Sequence, residues 1–96
     1  MKKFVFLYQR NAQEDQGSME DWMLWFNSIG DKFVDHGNPF GIAKEVTSTG
    51  TRELSPELAG ATGYSIVNAE SFDEVELILK GCPMASNVRV YEALPM

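Results

Sequence analysis

Thr62-Gly63-Tyr64-Ser65-Ile66-Val67, then Ser71-Phe72-Asp73-Glu74, then Val88-Arg89-Val90-Tyr91: these runs within residues 62–94 decide the fold. The first is short and rich in β-formers. The second places a glutamate three residues after a serine, the capping-box pattern that opens a helix. Phe72, Val75, Ile78, Leu79 and Cys82 follow at helical spacing and form one apolar stripe. Lys80 suits the negative end of that helix, Gly81 its exit, and Pro83 bars its continuation. The third run alternates as a strand. Strand, helix, strand is the reading, with little left over.

Upstream, Phe4-Val5-Phe6-Leu7-Tyr8 is strand material with apolar residues on both parities. Such a strand is buried on both faces. The polar run after it reads as a loop. Ser18 reads as the cap of a long first helix, whose buried stripe is Met19, Trp22, Phe26, Ile29 and Phe33. Gly30 interrupts that helix, and Gly37 and Pro39 end it. Residues 40–47 read as a second strand. Ser48-Thr49-Gly50-Thr51 is turn-like. Residues 52–60 are irregular, apart from one possible helical turn with Pro56 at its first position.

The order is therefore β-α-β-β-α-β, the ferredoxin-like arrangement of an α+β domain. It predicts an antiparallel four-stranded sheet with both helices on one face. Two helices leave the other sheet face open, yet Phe4, Phe6 and Tyr8 predict large apolar groups there. A second copy, sheet against sheet, is expected to cover that face and make a homodimer; the alternative is that the chain's own loops cover Phe4, Phe6 and Tyr8.

At 96 residues the chain is expected to be a single domain over 1–96. Hydrophobic residues at 44% argue against disorder. A net charge of −6 argues against partners held through nucleic-acid phosphates or anionic lipid. No apolar run approaches a membrane span, and the apolar start is too short for a signal peptide. One cysteine allows no intrachain disulfide. A cytoplasmic protein without cofactor is the expectation.

Tyr64-Ser65-Ile66-Val67-Asn68-Ala69-Glu70-Ser71-Phe72-Asp73-Glu74, Gly81-Cys82-Pro83 and Val88-Arg89-Val90 resemble the second half of YCII-related proteins. The opening strand and the Trp-rich first helix fit the same family. The resemblance implies a ferredoxin-like fold paired into a dimeric α+β barrel, with a cleft between the sheets. Some members resemble small enzymes acting on organic acids or halogenated compounds, with a proposed His/Asp catalytic pair. Their histidine lies early in the first helix. Here that region reads Glu20-Asp21-Trp22.

His36 is the only histidine, and it falls in the last turn of the expected first helix, on the flank of Trp25, Ile29 and Lys32. It can serve as a general base near neutral pH, or as a cation that complements the helix dipole. Glu45, on the expected second strand, can orient His36 or face solvent. Cys82 continues an apolar stripe and sits at a helix C-terminus, which favours thiol over thiolate. One histidine and one cysteine make no zinc site. On the last strand Arg89 and Tyr91 share one parity, opposite Val88 and Val90, which suit the helix-covered face. Tyr8, Trp25, Tyr64, Arg89 and Tyr91 are thus the candidate contacts for a small organic or aromatic acid in an intersheet cleft. The alternative is a non-catalytic dimeric interaction or regulatory module. Whether the chain is an enzyme is left open by these residues.

Overall fold

A computed structural model describes residues 1–9, 19–83 and 87–96. The elements are β1 (Lys2–Gln9), α1 (Met19–Ile29), a 3₁₀ turn (Gly30–Lys32), β2 (Phe33–Asp35), β3 (Ala43–Thr47), β4 (Gly50–Leu54), α2 (Pro56–Ala59), β5 (Ala61–Ala69), α3 (Phe72–Leu79) and β6 (Val88–Ala93). The main sheet runs β2-β5-β1-β6, and each described pairing in it is antiparallel. Both long helices lay their apolar stripes on one face, as Trp25, Val75 and Ile78 are buried in one cluster with Phe4 and Phe6. This is the ferredoxin-like α+β fold.

Three expectations need correction. First, α1 ends at Ile29. Gly30 takes φ +63, a left-handed conformation that glycine adopts without the Cβ penalty. The chain turns there, and Phe33 pairs with Val67 on β5 instead of extending the helix. His36 therefore follows a strand, not a helix. The proposed cap, Ser18, lies outside the described residues. Second, the sheet's second strand is β2, not residues 40–47. Residues 43–47 pair with 50–54 as a hairpin outside the main sheet. Its turn is closed by Thr47 Oγ1, which takes the Thr49 N–H at 3.3 Å and bonds the Gly50 carbonyl at 3.2 Å.

Third, Phe4, Phe6 and Tyr8 face the helices, not the open side of the sheet. Phe4 and Phe6 are fully buried. Their register partners on β5 and β6 are Val67, Ser65, Val90 and Glu92. A central strand must fill the gap between sheet and helices, and the aromatic parity has the volume to do so. Each such burial contributes about 1.5–3 kcal/mol. The open face carries Val5 and Leu7 instead, beside Ile66 and Tyr64 on β5 and Arg89 and Tyr91 on β6. Val88 and Val90 lie toward the helices, as the alternation predicts.

The α3 helix is capped as its sequence indicates. Ser71 Oγ accepts from the Glu74 N–H at 3.3 Å. Glu74 reaches back to the Glu70 N–H at 2.8 Å and pairs with Lys32, which ties the helix start to the 3₁₀ turn. At its other end, Trp25 Nε1 donates to the Ile78 carbonyl at 3.0 Å. That bond satisfies one of the carbonyls a helix terminus leaves open, and links α1 to α3.

Replacing Ser71 with alanine is expected to cost about 1 kcal/mol in urea denaturation, the usual loss for a capping side chain. Acid unfolding gives an independent check on Glu74. Its hydrogen bond from Lys32, and then that from the Glu70 N–H, hold its carboxyl below the ordinary value of 4.5. A depressed folded-state value stabilises above the unfolded pKa, and that contribution is lost as pH falls through the folded one. Glu74→Gln should therefore flatten the stability profile below about pH 4.5. A wild-type slope in the variant would show that the contact does not persist in solution.

Candidate functional site: the cleft beside His36

The edge strand slips by one residue against β5 between Phe33 and Asp35, and by one more between Asp35 and the Pro39–Gly63 bridge. Residues 36–38 bulge between those points, and bulges commonly re-aim a side chain at a sheet edge. The slip between Phe33 and Asp35 puts Asp35 on the open face and so His36 on the helix-covered side, where its ring lies 4.9 Å from Phe26 and 5.0 Å from Phe33. A cleft of ≈ 270 Å³ opens beside it. Tyr8, Trp22 and Phe26 supply its aromatic wall, and His36, Asn38 and Tyr64 also line it. Trp22 meets Tyr8 edge to face at 5.0 Å, so the wall is built of rings that hold one another in place.

The bulge is held from both faces of the sheet. On the open side, Asp35 accepts from the Gly37 N–H at 2.8 Å through one oxygen and from the Tyr64 hydroxyl at 3.0 Å through the other. Phe40 stacks on the Tyr64 ring at 5.7 Å. On the helix side, Tyr8 donates to Ser65 Oγ at 2.8 Å, and Ser65 donates to the His36 carbonyl at 2.6 Å. Gly37 lies against β5 so closely that a Cβ there would fall 1.5 Å from the Tyr64 carbonyl oxygen. Its φ of +88 is a second reason for glycine.

Burial pushes the Tyr8 phenol well above its usual range. The Ser65 bond works against that shift, and nearby Cys82 adds to it. Among the described lining residues, His36 is the one side chain able to carry a positive charge.

The sequence-predicted contacts separate into two sets. Tyr8 from β1 and Trp25 from α1 are buried between sheet and helices, Trp25 in the core and Tyr8 as a cleft wall. Tyr64, Arg89 and Tyr91 belong to the open face, and of the three Tyr64 also lines the cleft. Glu45 does not meet His36: it is exposed on the hairpin and pairs with Arg52 Nε at 2.9 Å. Cys82 is buried, as its place in the stripe implies. Sequence reasoning missed Trp22, Phe26 and Ser65 as site residues. A serine inside an apolar strand was the signal available for Ser65. A larger hollow of ≈ 540 Å³ at the hairpin base is walled by residues such as Phe40, Ile42 and Leu54, with Glu53 its one ionisable side chain. It brings fewer chemical groups together. Among the described residues no cluster of three or more His, Cys, Asp or Glu is placed to hold a metal ion. No helix among them is long and apolar enough to cross a membrane.

Gly37→Ala should destabilise the protein by at least about 1–2 kcal/mol, from the left-handed backbone alone. It should also displace His36 from Phe26 and Phe33, read as altered imidazole proton shifts. Unchanged shifts and an unchanged denaturation midpoint would mean that the bulge does not sit on β5.

No protein-family model matches the sequence, and no curated protein matches it. A solved structure is similar in fold: 5-chloro-2-hydroxyhydroquinone dehydrochlorinase from Burkholderia phenoliruptrix AC1100, in complex with 2,5-dihydroxybenzoquinone. The TM-score is 0.60 at 16% identity, over 100% of this chain and 96% of that one. A likeness at that identity carries the fold and no more.

Proposed function

We propose that this protein is a YCII-related homodimer that binds a small single-ring molecule in the cleft beside His36. The observation that carries the reading is the cleft itself. A dry cavity of about 150 Å³ is enough for benzene, so ≈ 270 Å³ accommodates one substituted ring. Aromatic walls favour a planar ligand, and His36 and Asn38 supply polar contacts at its edge. The walls are mainly apolar and aromatic, and a carboxylate desolvated against them is costly, so an uncharged hydroxylated ring suits the cleft better than an organic acid. The similarly folded dehydrochlorinase, crystallised with a one-ring quinone, agrees in ligand size.

Pairing through the open sheet face is part of the proposal. Val5, Leu7 and Ile66 stay only half-buried there, and Tyr91 is 52% exposed. The chain exposes 6793 Å², while a compact monomer of this mass exposes about 5,500 Å². Both the uncovered sheet face and the separate β3–β4 hairpin contribute to that excess. A second reading, binding without turnover, is favoured by one observation. Among the described lining residues no carboxylate stands beside His36 to complete an acid–base pair.

Hydroquinone at a concentration well above its Kd should raise Tm by several degrees, since a ligand that binds only the folded state adds stability. Benzoate should do less. If hydroquinone, 2,5-dihydroxybenzoquinone and benzoate all leave Tm unmoved, the cleft is not a site for this class. Light scattering at micromolar protein should give the mass of a dimer. Leu7→Asp should yield a folded monomer, because it places a carboxylate in the paired face. A monomeric wild type removes the sheet-to-sheet interface and leaves the cleft proposal standing.

A further inference from the structure

Ser65 is fully buried on the helix-covered face of β5, between Gly63 and Val67 on the same parity. Packing alone would be served by an apolar residue at this position. A buried hydroxyl is costly unless bonded, and here the hydroxyls of Tyr8 and Ser65 are both bonded. Tyr8 gives its proton to Ser65, and Ser65 gives its own to the His36 carbonyl. The relay ends where the β2–β5 ladder is broken. Tyr64 resumes backbone pairing with the Asn38 carbonyl at 3.3 Å, and the Phe40 N–H with the Thr62 carbonyl at 2.8 Å. The His36 carbonyl, inside the bulge, is met by a side chain instead.

We propose that Ser65 and Tyr8 are positioning residues: their hydroxyl relay fixes the His36 backbone, and thereby the orientation of the imidazole at the cleft mouth. The inference deepens the binding site proposed above and rests on it for its functional meaning. Its geometric content is independent. Three fastenings converge on this bulge: the Ser65 bond, the Asp35 clamp on Gly37 and Tyr64, and the close Gly37–Tyr64 approach. The first and second pull from opposite faces of the sheet, so the His36 main chain has little room to rotate. The imidazole is then left with side-chain rotation only, and Phe26 and Phe33 restrict that. Tyr8 serves twice, with its ring as cleft wall and its hydroxyl as the start of the relay. A ligand resting on the Tyr8 ring is thus registered against His36 through two side-chain hydrogen bonds.

Two variants test this. Tyr8→Phe keeps the wall and removes the first hydroxyl; Ser65→Ala removes the link to His36. In the ligand-free protein, imidazole proton shifts and ring contacts from His36 to Phe26 and Phe33 are read by NMR. Affinity for hydroquinone is read by titration. The relay predicts altered His36 signals in both variants, larger for Ser65→Ala, and an affinity loss of about tenfold for Ser65→Ala. The double variant should add little to Ser65→Ala, because both changes act on one chain of bonds. Altered His36 signals in a protein whose wild type does not bind hydroquinone would uphold the positioning role and reject the binding site. Unchanged His36 signals, with only a lower Tm, would overturn the proposal. Should Ser65→Ala fail to fold, Tyr8→Phe alone decides by the same readouts.

Discussion

β5 is the strand on which every other part of the site leans. It runs nine residues through the sheet, with β1 on one side and a faulty neighbour on the other. That neighbour, β2, pairs for two described residues, departs, and rejoins at Pro39. An unpaired backbone group near a core is expensive, so the gap had to be answered by other atoms. Ser65, Tyr64 and Asp35 supply them. The cleft opens beside this interruption, and His36, Gly37, Asn38 and Pro39 line it.

The helix side of the sheet is organised by volume. Phe4, Phe6 and Tyr8 take the space under α1 and α3, and Trp25 locks the two helices through the Ile78 carbonyl. Gly81 lies 3.4 Å from the Trp25 ring when a Cβ is placed on it, so the chain after α3 passes close over the indole. Stability and site share one wall, because Tyr8 belongs to both. Mutations in the cleft are therefore coupled to the core, and effects on binding and folding need separate measurement.

Much of the fold was legible because its signals were local. Ser71 and Glu74 marked the start of α3, and Val88 to Tyr91 alternated as β6 does. Pro56 marked the short helix behind Ser55, whose hydroxyl takes the Leu58 N–H. What misled were signals that compete. Phe33 fits a helical stripe as well as a strand face, and the left-handed turn at Gly30 decides between them. Residues 40–47 have strand character in part, and pair with a segment that looked irregular because Arg52 and Glu53 are polar on both parities. The site was less legible than the fold. His36 was singled out, yet its neighbours Phe26 and Tyr8 come from distant parts of the chain, and no spacing rule joins them. Strand parity misassigned Phe4, Phe6 and Tyr8, since both parities of β1 are apolar and only volume distinguishes them.

The β3–β4 hairpin stands apart from the main sheet, with its pairings internal to itself. Its register is fixed by its own four-residue turn and by cross-strand partners such as Glu45 and Arg52. Length changes of one residue pair at its tip alter neither the pairing of β5 nor the bulge at His36. The pairings of the arm are thus separate from those that hold the cleft. The arm is also the natural place to graft an epitope tag or a fluorophore without touching the sheet.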